Sequence, residues 1–245
     1  MLVEKQIRDF MMALDTEDVG MSTQLRDGME WEGEAPNVLN RLIRPSWTVI
    51  EMGACLGFYM CLEAKKAKKV YAIEADPHNA VIMEASRRLN KFSNVEIFNL
   101  AIAAENGTVR FAQSPGRSDR GRLSKKGNIK VEAKTLDTFT SENKIGPVDL
   151  IRCDIEGAEV HMVSGGRETL KAMPEGSWMF IDLHPLKFGK DKTKLYKAIK
   201  QIQHHGFVPR RIFGPKVMHP KDFADSICGS AGFPKVFLRK EAICS

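Results

Sequence analysis

The sequence predicts an α/β fold built on a doubly wound, mostly parallel sheet that closes in an antiparallel C-terminal strand pair. Three observations predict it. From Trp47 onward, short apolar runs alternate with amphipathic stretches of helix length, the pattern of parallel strands joined by crossover helices. The first run ends in a glycine-bearing turn, Glu51-Met52-Gly53-Ala54-Cys55-Leu56-Gly57, and the second ends on an acid, Glu74. The last two runs, near 207–213 and 234–239, follow Gly206 and Gly232 with no helix-length pattern between them, so they read as an antiparallel pair.

Residues 1–46 are expected to form an N-terminal helical extension. Residues 1–14 read as an amphipathic helix with Leu2, Ile7, Phe10, Met11 and Leu14 on its apolar side. A polar, acidic stretch follows, then a helix near 36–44 opened by Pro36, which suits a first helical turn. The main domain, 47–245, begins with a strand at 48–52, a helical run to about Lys66, a strand at 69–74, a helix from Pro77 to Asn90 and a strand at 95–100. Residues 107–134 break the rhythm: strands at 108–111 and 128–132 surround a loop rich in Gly, Ser and Arg, and 113–130 is expected to act as a mobile lid. Alternation resumes with a strand at 148–153, a helix at 158–171, a strand at 178–183 and a helix at 190–204. His204-His205, next to Gly206, reads as that helix's terminus rather than as a ligand pair.

A chain of 245 residues can bury a real core. No apolar run approaches the roughly eighteen residues that a membrane span requires. A secretory signal is not expected either, since Met11 and Met12 sit between Asp9 and Asp15. The five cysteines (Cys55, Cys61, Cys153, Cys228, Cys244) are scattered without a Cys-x-x-Cys pair, which argues against a disulfide framework or a zinc site and for a reducing, cytoplasmic setting.

The net charge of +6 is uneven: residues 1–40 hold nine acids against three bases, and 186–240 hold thirteen bases against three acids. Lys190, Lys194 and Lys197 recur at helical spacing opposite Leu195, Ala198, Ile199 and Ile202, the pattern of a solvated helix face. No aromatics interleave with the bases as single-stranded nucleic acid would require.

Gly53 and Gly57 let backbone approach a ligand that side chains would exclude. They do not form the Gly-x-Gly-x-x-Gly of dinucleotide enzymes, because Cys55 and Phe58 stand where two of its glycines belong. A methionine-and-adenosine cofactor, which has no diphosphate, tolerates the looser turn. Glu51 can accept from loop amides and reach the cofactor's amino group. Glu74, 23 residues further on, can take both ribose hydroxyls. The stretch Val148-Asp-Leu-Ile-Arg-Cys-Asp154-Ile-Glu156-Gly157-Ala-Glu159 runs a buried strand into three acids at a helix start. Its acids could face the cofactor's sulfonium end and a methyl acceptor. They could equally serve the helix, Asp154 as its cap and Glu156 and Glu159 as complements to its dipole.

At this point the sequence resembles the FkbM family of methyltransferases. The matching pieces are Val49 to Tyr59, Val70 to Pro77, Asn99-Leu-Ala-Ile-Ala, Gly107 to Phe111, Thr135-Leu-Asp-Thr-Phe139, the Asp154-Ile-Glu-Gly-Ala-Glu block and Asp182-Leu-His-Pro185, in family order across roughly residues 47–185. The resemblance implies a Rossmann-like class I methyltransferase that uses S-adenosylmethionine to modify hydroxyl oxygens on sugars or other small natural products. By it, Gly53 and Gly57 line the methionine part of the cofactor, Glu74 takes the ribose, Ala75 and Ala101 flank adenine, and Asp154 sits near the methyl; Ala54 and Cys55 belong to the same cofactor-binding turn. The family commonly has Asp at 51, Asn at 55 and Asn at 76, where this chain has Glu51, Cys55 and Asp76.

A hydroxyl acceptor must be aligned and must lose its proton. Asp154 and His184 are the candidate bases, with Glu156 beside them. His184, before Pro185, could instead merely end its strand. No metal is expected to be needed; a divalent ion on Asp154, Asp182 and His184 is the alternative. Arg117, Arg120, Arg122, Lys125 and Lys126 in the lid would suit a small, anionic acceptor. An RNA- or protein-modifying methyltransferase using the basic C-terminal third is the rival reading, although the Asn-Pro-Pro-Tyr type motif of amino-group methylation is absent. A nicotinamide oxidoreductase lacks its glycine pattern here, and a cofactor-binding scaffold without catalysis is the remaining rival.

Overall fold

Val49, Ile50 and Met52 carry no exposed surface, and this short β-branched run sets the first strand of the main domain. The computed structural model describes residues 1–213, 223–230 and 232–242. Cys244 and the stretch 214–222, which carries Lys216 and Lys221 of the basic third, lie outside the described residues. The chain packs as two units, one of residues Met1–Ala101 with Thr108–Glu132, the other of Ile102–Gly107 with Ala133–Ser245.

The first unit opens with a hairpin where the apolar spacing predicts a helix. Strands β1 (Leu2–Ile7) and β2 (Phe10–Asp15) pair antiparallel from Ile7↔Phe10 to Leu2↔Asp15. Tertiary burial overrides the helical pattern: Met12, Ala13 and Leu14 are all buried, so β2 needs cover on both faces. Helical neighbours also satisfy its backbone. The Asn90 side chain accepts from Met11 N at 2.8 Å and donates to Met11 O at 2.6 Å, and Ser86 Oγ accepts from Ala13 N at 3.0 Å.

Helix α1 (Met21–Arg26) forms inside the stretch read as merely polar. Helix α2 (Ala35–Leu42) carries Pro36 in its first turn, as expected. Strand β3 (Thr48–Met52), helix α3 (Phe58–Ala64), strand β4 (Lys69–Ile73), helix α4 (Pro77–Leu89) and strand β5 (Val95–Phe98) then alternate as the sequence predicts. The three strands are parallel, with Thr48↔Lys69 and Val70↔Val95 in register. Asp76 caps α4 by accepting from His78 N at 2.9 Å, and Pro77 occupies the first helical turn.

After the two-residue strand β6 (Ala101–Ile102) come β7 (Gly107–Ala112), β8 (Arg122–Leu123) and β9 (Ile129–Lys134). The expected flanking strands are thus present. The segment between them is structured by the antiparallel pairing of Phe111 with Leu123 and by a short 3-10 turn at Ser118–Arg120.

In the second unit, helix α5 (Leu136–Glu142) starts on Thr135, whose hydroxyl accepts from Thr138 N at 3.0 Å. Strand β10 (Leu150–Cys153) leads to helices α6 (Glu159–Gly165) and α7 (Arg167–Ala172), which split the single helix expected at 158–171. Strand β11 (Trp178–Asp182), helix α8 (Thr193–His204), strand β12 (Phe207–Phe213), helix α9 (Phe223–Gly229) and strand β13 (Lys235–Lys240) complete it.

Strands β10 and β11 are parallel, while β13 pairs antiparallel with both β11 and β12. The closing antiparallel pair is as expected, but α9 corrects the expectation that no helix stands between its strands. Phe223, Ala224 and Ile227 bury one side of that helix. Phe180 stacks on Phe237 at 4.1 Å between neighbouring strands. The whole is an α/β chain with a mostly parallel central sheet. No helix among the described residues is long and apolar enough to cross a membrane.

Candidate functional site

In the first unit the turn after β3 is pinned to the end of β4, because Ile73 O accepts from both Gly53 N (2.9 Å) and Ala54 N (3.1 Å). Gly53, Cys55 and Gly57 all take positive φ, at 77°, 52° and 87°. At Gly57 a Cβ would also lie 2.9 Å from both Met60 Cε and Met83 Cγ, so this position requires glycine twice over. Cys55 holds a left-handed conformation that asparagine adopts more readily than other side chains. That is a backbone reason for the asparagine common at this place in the related family.

Glu74 ties the two strand ends together. Its Oε2 accepts from Cys55 N and its Oε1 from Asp76 N, each at 2.7 Å. Burial pushes its carboxyl up to about 7, against the amide hydrogen bonds that pull it down. Burial and the nearby Glu74 charge likewise hold the Cys55 thiol well above its usual range, so it stays protonated and can donate its hydrogen bond. Ala75 packs on the cluster of Ala101, Phe111 and Val131, so the two alanines picked out by resemblance meet in one apolar patch.

A polar strap covers this turn. Ser118 O accepts from Asn79 Nδ2 at 2.9 Å and from the Cys55 thiol at 3.4 Å. Ser118 is itself held by Asp18, whose carboxylate accepts from Ser118 N at 3.0 Å and Ser118 Oγ at 2.7 Å.

In the second unit β10 delivers Asp154 into a tight turn, where Glu156 sits at φ 54° and Gly157 at φ 100°. Asp154 does not cap α6. That helix starts on Ala158 with no side-chain cap, so the capping role of this acid falls away, while Glu159 does stand in the first turn. Glu159, in the first turn of α6, accepts from Gly157 N at 3.1 Å and from His184 Nδ1 at 2.7 Å.

The other ring nitrogen of His184 lies 3.7 Å from Asp154 Oδ1 and 3.7 Å from Glu156 Oε1. The outer carboxylate oxygens face cations: Lys187 Nζ is 2.7 Å from Glu156 Oε2, and an Arg152 guanidinium nitrogen is 3.6 Å from Asp154 Oδ2. Burial alone would lower the His184 pKa, yet the hydrogen bond and charge of Glu159, with Asp154 and Glu156, carry it up to about 9. Burial raises Asp154, but Arg152, Lys235 and His184 outweigh it and hold that carboxyl below its ordinary value. The cluster can therefore orient a polar group and exchange a proton with it.

Residues 51–209, spanning both halves of this chemistry, match the Methyltransferase FkbM domain. The chain belongs to the FkbM methyltransferase family. This FkbM methyltransferase is 26% identical over 154 residues to the 2-O-methyltransferase NoeI of Sinorhizobium fredii, a match covering 54% of this chain and 63% of NoeI. It spans less than two thirds of the length of the curated relatives it matches.

Among solved structures, an rRNA methylase from Streptococcus thermophilus gives a TM-score of 0.53 at 12% identity, covering 85% of this chain and 95% of that one. The methyltransferase FkbM from Methylobacillus flagellatus gives 0.52 at 15% identity, covering 80% and 44%. Both share the class I methyltransferase fold. Family and fold together imply S-adenosylmethionine as the cofactor.

The residues picked from sequence separate cleanly. Glu51, Gly53, Ala54, Cys55, Gly57, Glu74, Ala75 and Ala101 belong to the first unit, and Asp154, Glu156 and His184 to the second. Asp182, named with Asp154 and His184 as a metal alternative, pairs with Lys235 and stays near Asp154, while Glu156 is the residue grouped with Asp154 and His184. Sequence reasoning missed Glu159 as the partner of His184, because 25 residues separate them and no local pattern links them. It also missed Asp18, Asn79 and Ser118, which carry no motif; the Asp-x-Gly-x-Ser spacing after Asp18 was the available turn signal.

Proposed function

We infer that this FkbM methyltransferase transfers a methyl group from S-adenosylmethionine to a hydroxyl oxygen of a sugar or other small natural product. The observation that carries the reading is the cluster of half-buried Asp154 and Glu156 facing buried His184, with Glu159 behind the ring. It is a proton-exchanging site, as a hydroxyl acceptor needs. The name of NoeI, a 2-O-methyltransferase, supports oxygen as the acceptor atom.

The residues of the first unit suit the cofactor. Each Glu74 oxygen receives one amide, and a carboxylate has acceptor capacity for more, so both ribose hydroxyls can be taken as well. Ala75 and Ala101 offer an apolar patch for adenine. Gly53, Ala54, Cys55 and Gly57 would line the methionine part, with Glu51 at the strand end toward its amino group. When bound, S-adenosylmethionine supplies a methyl carbon already activated by the sulfonium. Asp154 and Glu156 would accept the acceptor's hydrogen bonds and hold its oxygen in line, and the deprotonated fraction of His184, small at neutral pH because its pKa stands at about 9, would take up the proton.

Arg120, Arg122, Lys125 and Lys126 of segment 113–130 are exposed, which supports that segment as a lid suited to an anionic acceptor. The likeness to an rRNA methylase fold and the exposed Lys190, Lys194 and Lys197 favour RNA as the second reading. The test is transfer of a labelled methyl group to a panel of glycosides, hydroxylated natural products and total RNA. Label in an ether of a small hydroxyl compound is the expected result. Label confined to RNA would replace this reading with the second one.

A further inference from the structure

His184 is buried to 4% exposure, and its Nε2 makes no hydrogen bond among the described residues. The oxygens nearest it, Asp154 Oδ1 and Glu156 Oε1, stand 3.7 Å away, beyond hydrogen-bond reach. Asp154, Glu156 and His184 each offer a ligand atom, and the three atoms lie within 4.8 Å of one another. Lys187 and Arg152 face the outer carboxylate oxygens, turning the inner ones toward the ring.

Behind the ring, Glu159 receives Nδ1–H at 2.7 Å, and its own exposure is 1%. A carboxylate on one imidazole nitrogen fixes the other to face outward, the arrangement found behind metal-ligating histidines, and an ion bound there would displace the Nε2 proton to solvent.

We propose that Asp154 Oδ1, Glu156 Oε1 and His184 Nε2 bind one divalent first-row transition-metal ion, with Glu159 as the positioning residue that fixes the imidazole. Ligand atoms about 2.1 Å from a tetrahedral ion are about 3.4 Å apart, so the observed 3.7 Å separations need only a small contraction. Imidazole with two carboxylates is a donor set for ions of the manganese or zinc kind. Three protein ligands leave a coordination position open, as sites that act on a bound oxygen do. There the ion would lower the pKa of an acceptor hydroxyl, with His184 then a ligand and not the base and the hydroxyl proton leaving to solvent. That role rests on the O-methylation reading; the existence of the site does not.

The test is a titration of Mn2+ alone into the full, metal-free chain near neutral pH, without cofactor or acceptor, following free Mn2+ by electron paramagnetic resonance. One Mn2+ per chain is expected. Asp154→Asn should abolish binding and Glu159→Gln should weaken it by about 10- to 100-fold, with near-ultraviolet circular dichroism reporting that each variant is folded. Glu156→Gln replaces either variant that fails to fold. No binding by the parent chain, or unchanged affinity in the folded variants, overturns the site. A chain that methylates small hydroxyl compounds yet binds no Mn2+ loses this inference and keeps the proposed function; the reverse outcome keeps the site and loses the function.

Discussion

Glu159 holds the Nδ1–H of His184 at 2.7 Å with both side chains buried. One residue from the start of α6 and one just past the end of β11 thereby fix a single imidazole orientation, and the second ring nitrogen is presented to Asp154 and Glu156. The proposed chemistry of the second unit depends on that orientation.

Replacing His184 therefore has a kinetic consequence. His184→Gln should lower turnover by about 100-fold or more, the range for a lost acid–base group. Steady-state kinetics would show it as a fall in kcat, and a turnover within a factor of about three of the parent would remove His184 from the reaction.

The turn of the first unit predicts an unusual gain. Cys55 sits at φ 52°, a conformation that costs an ordinary residue about 1 kcal/mol and asparagine less. Cys55→Asn should raise unfolding stability by up to about 1 kcal/mol, and Cys55→Val should lower it, since a β-branched side chain tolerates positive φ least. Urea midpoints of the two variants measure both signs.

Gly57→Ala should be destabilising by about 1–3 kcal/mol. The cause is double, a φ of 87° and a Cβ within 2.9 Å of Met60 and Met83. A variant as stable as the parent would show that the turn relaxes freely.

Glu74 makes stability depend on pH. Its folded pKa of about 7 stands above the ordinary value of 4.5, so between those values the folded state binds more protons than the unfolded one. Stability falls as pH rises through that window, by at most roughly 3 kcal/mol from this group. Below pH 4.5 both states are protonated, and the group adds no further pH dependence. Denaturant titrations at pH 5 and pH 8 should show this component in the parent chain and lose it in Glu74→Gln. No component between pH 5 and pH 8 would mean that Glu74 is ionised throughout that range.

The sequence makes the strands of the main domain legible because their burial is written in composition: Val49-Ile50 and Leu150-Ile151 are apolar runs with a turn or an acid at the end. Glu74 and the Asp154 block were legible for the same reason. The N-terminal hairpin was not. Leu2, Ile7, Phe10, Met11 and Leu14 fit a helical stripe, and the two-residue connection uses Arg8-Asp9, with Arg8 at φ 56°, in place of the glycine or asparagine that would announce it. What decides it is tertiary: β2 needs Asn90 and Ser86 from α4 to satisfy its backbone. In the candidate site, the identity of Asp154 and His184 could be read locally. The exchange of Asp182 for Glu156, and the support from Glu159, depend on where β11 delivers His184 relative to the start of α6.

The division of labour between Glu74 and His184 is tested most directly by calorimetric titration of S-adenosylhomocysteine into the parent chain, Glu74→Gln and His184→Gln. A lost charge-assisted hydrogen-bond pair, about 1.5–3 kcal/mol, corresponds to a 10- to 100-fold weaker Kd. The account predicts that loss for Glu74→Gln and a Kd within about threefold of the parent for His184→Gln. Unchanged affinity in Glu74→Gln, or a loss in His184→Gln of the same size, would contradict it.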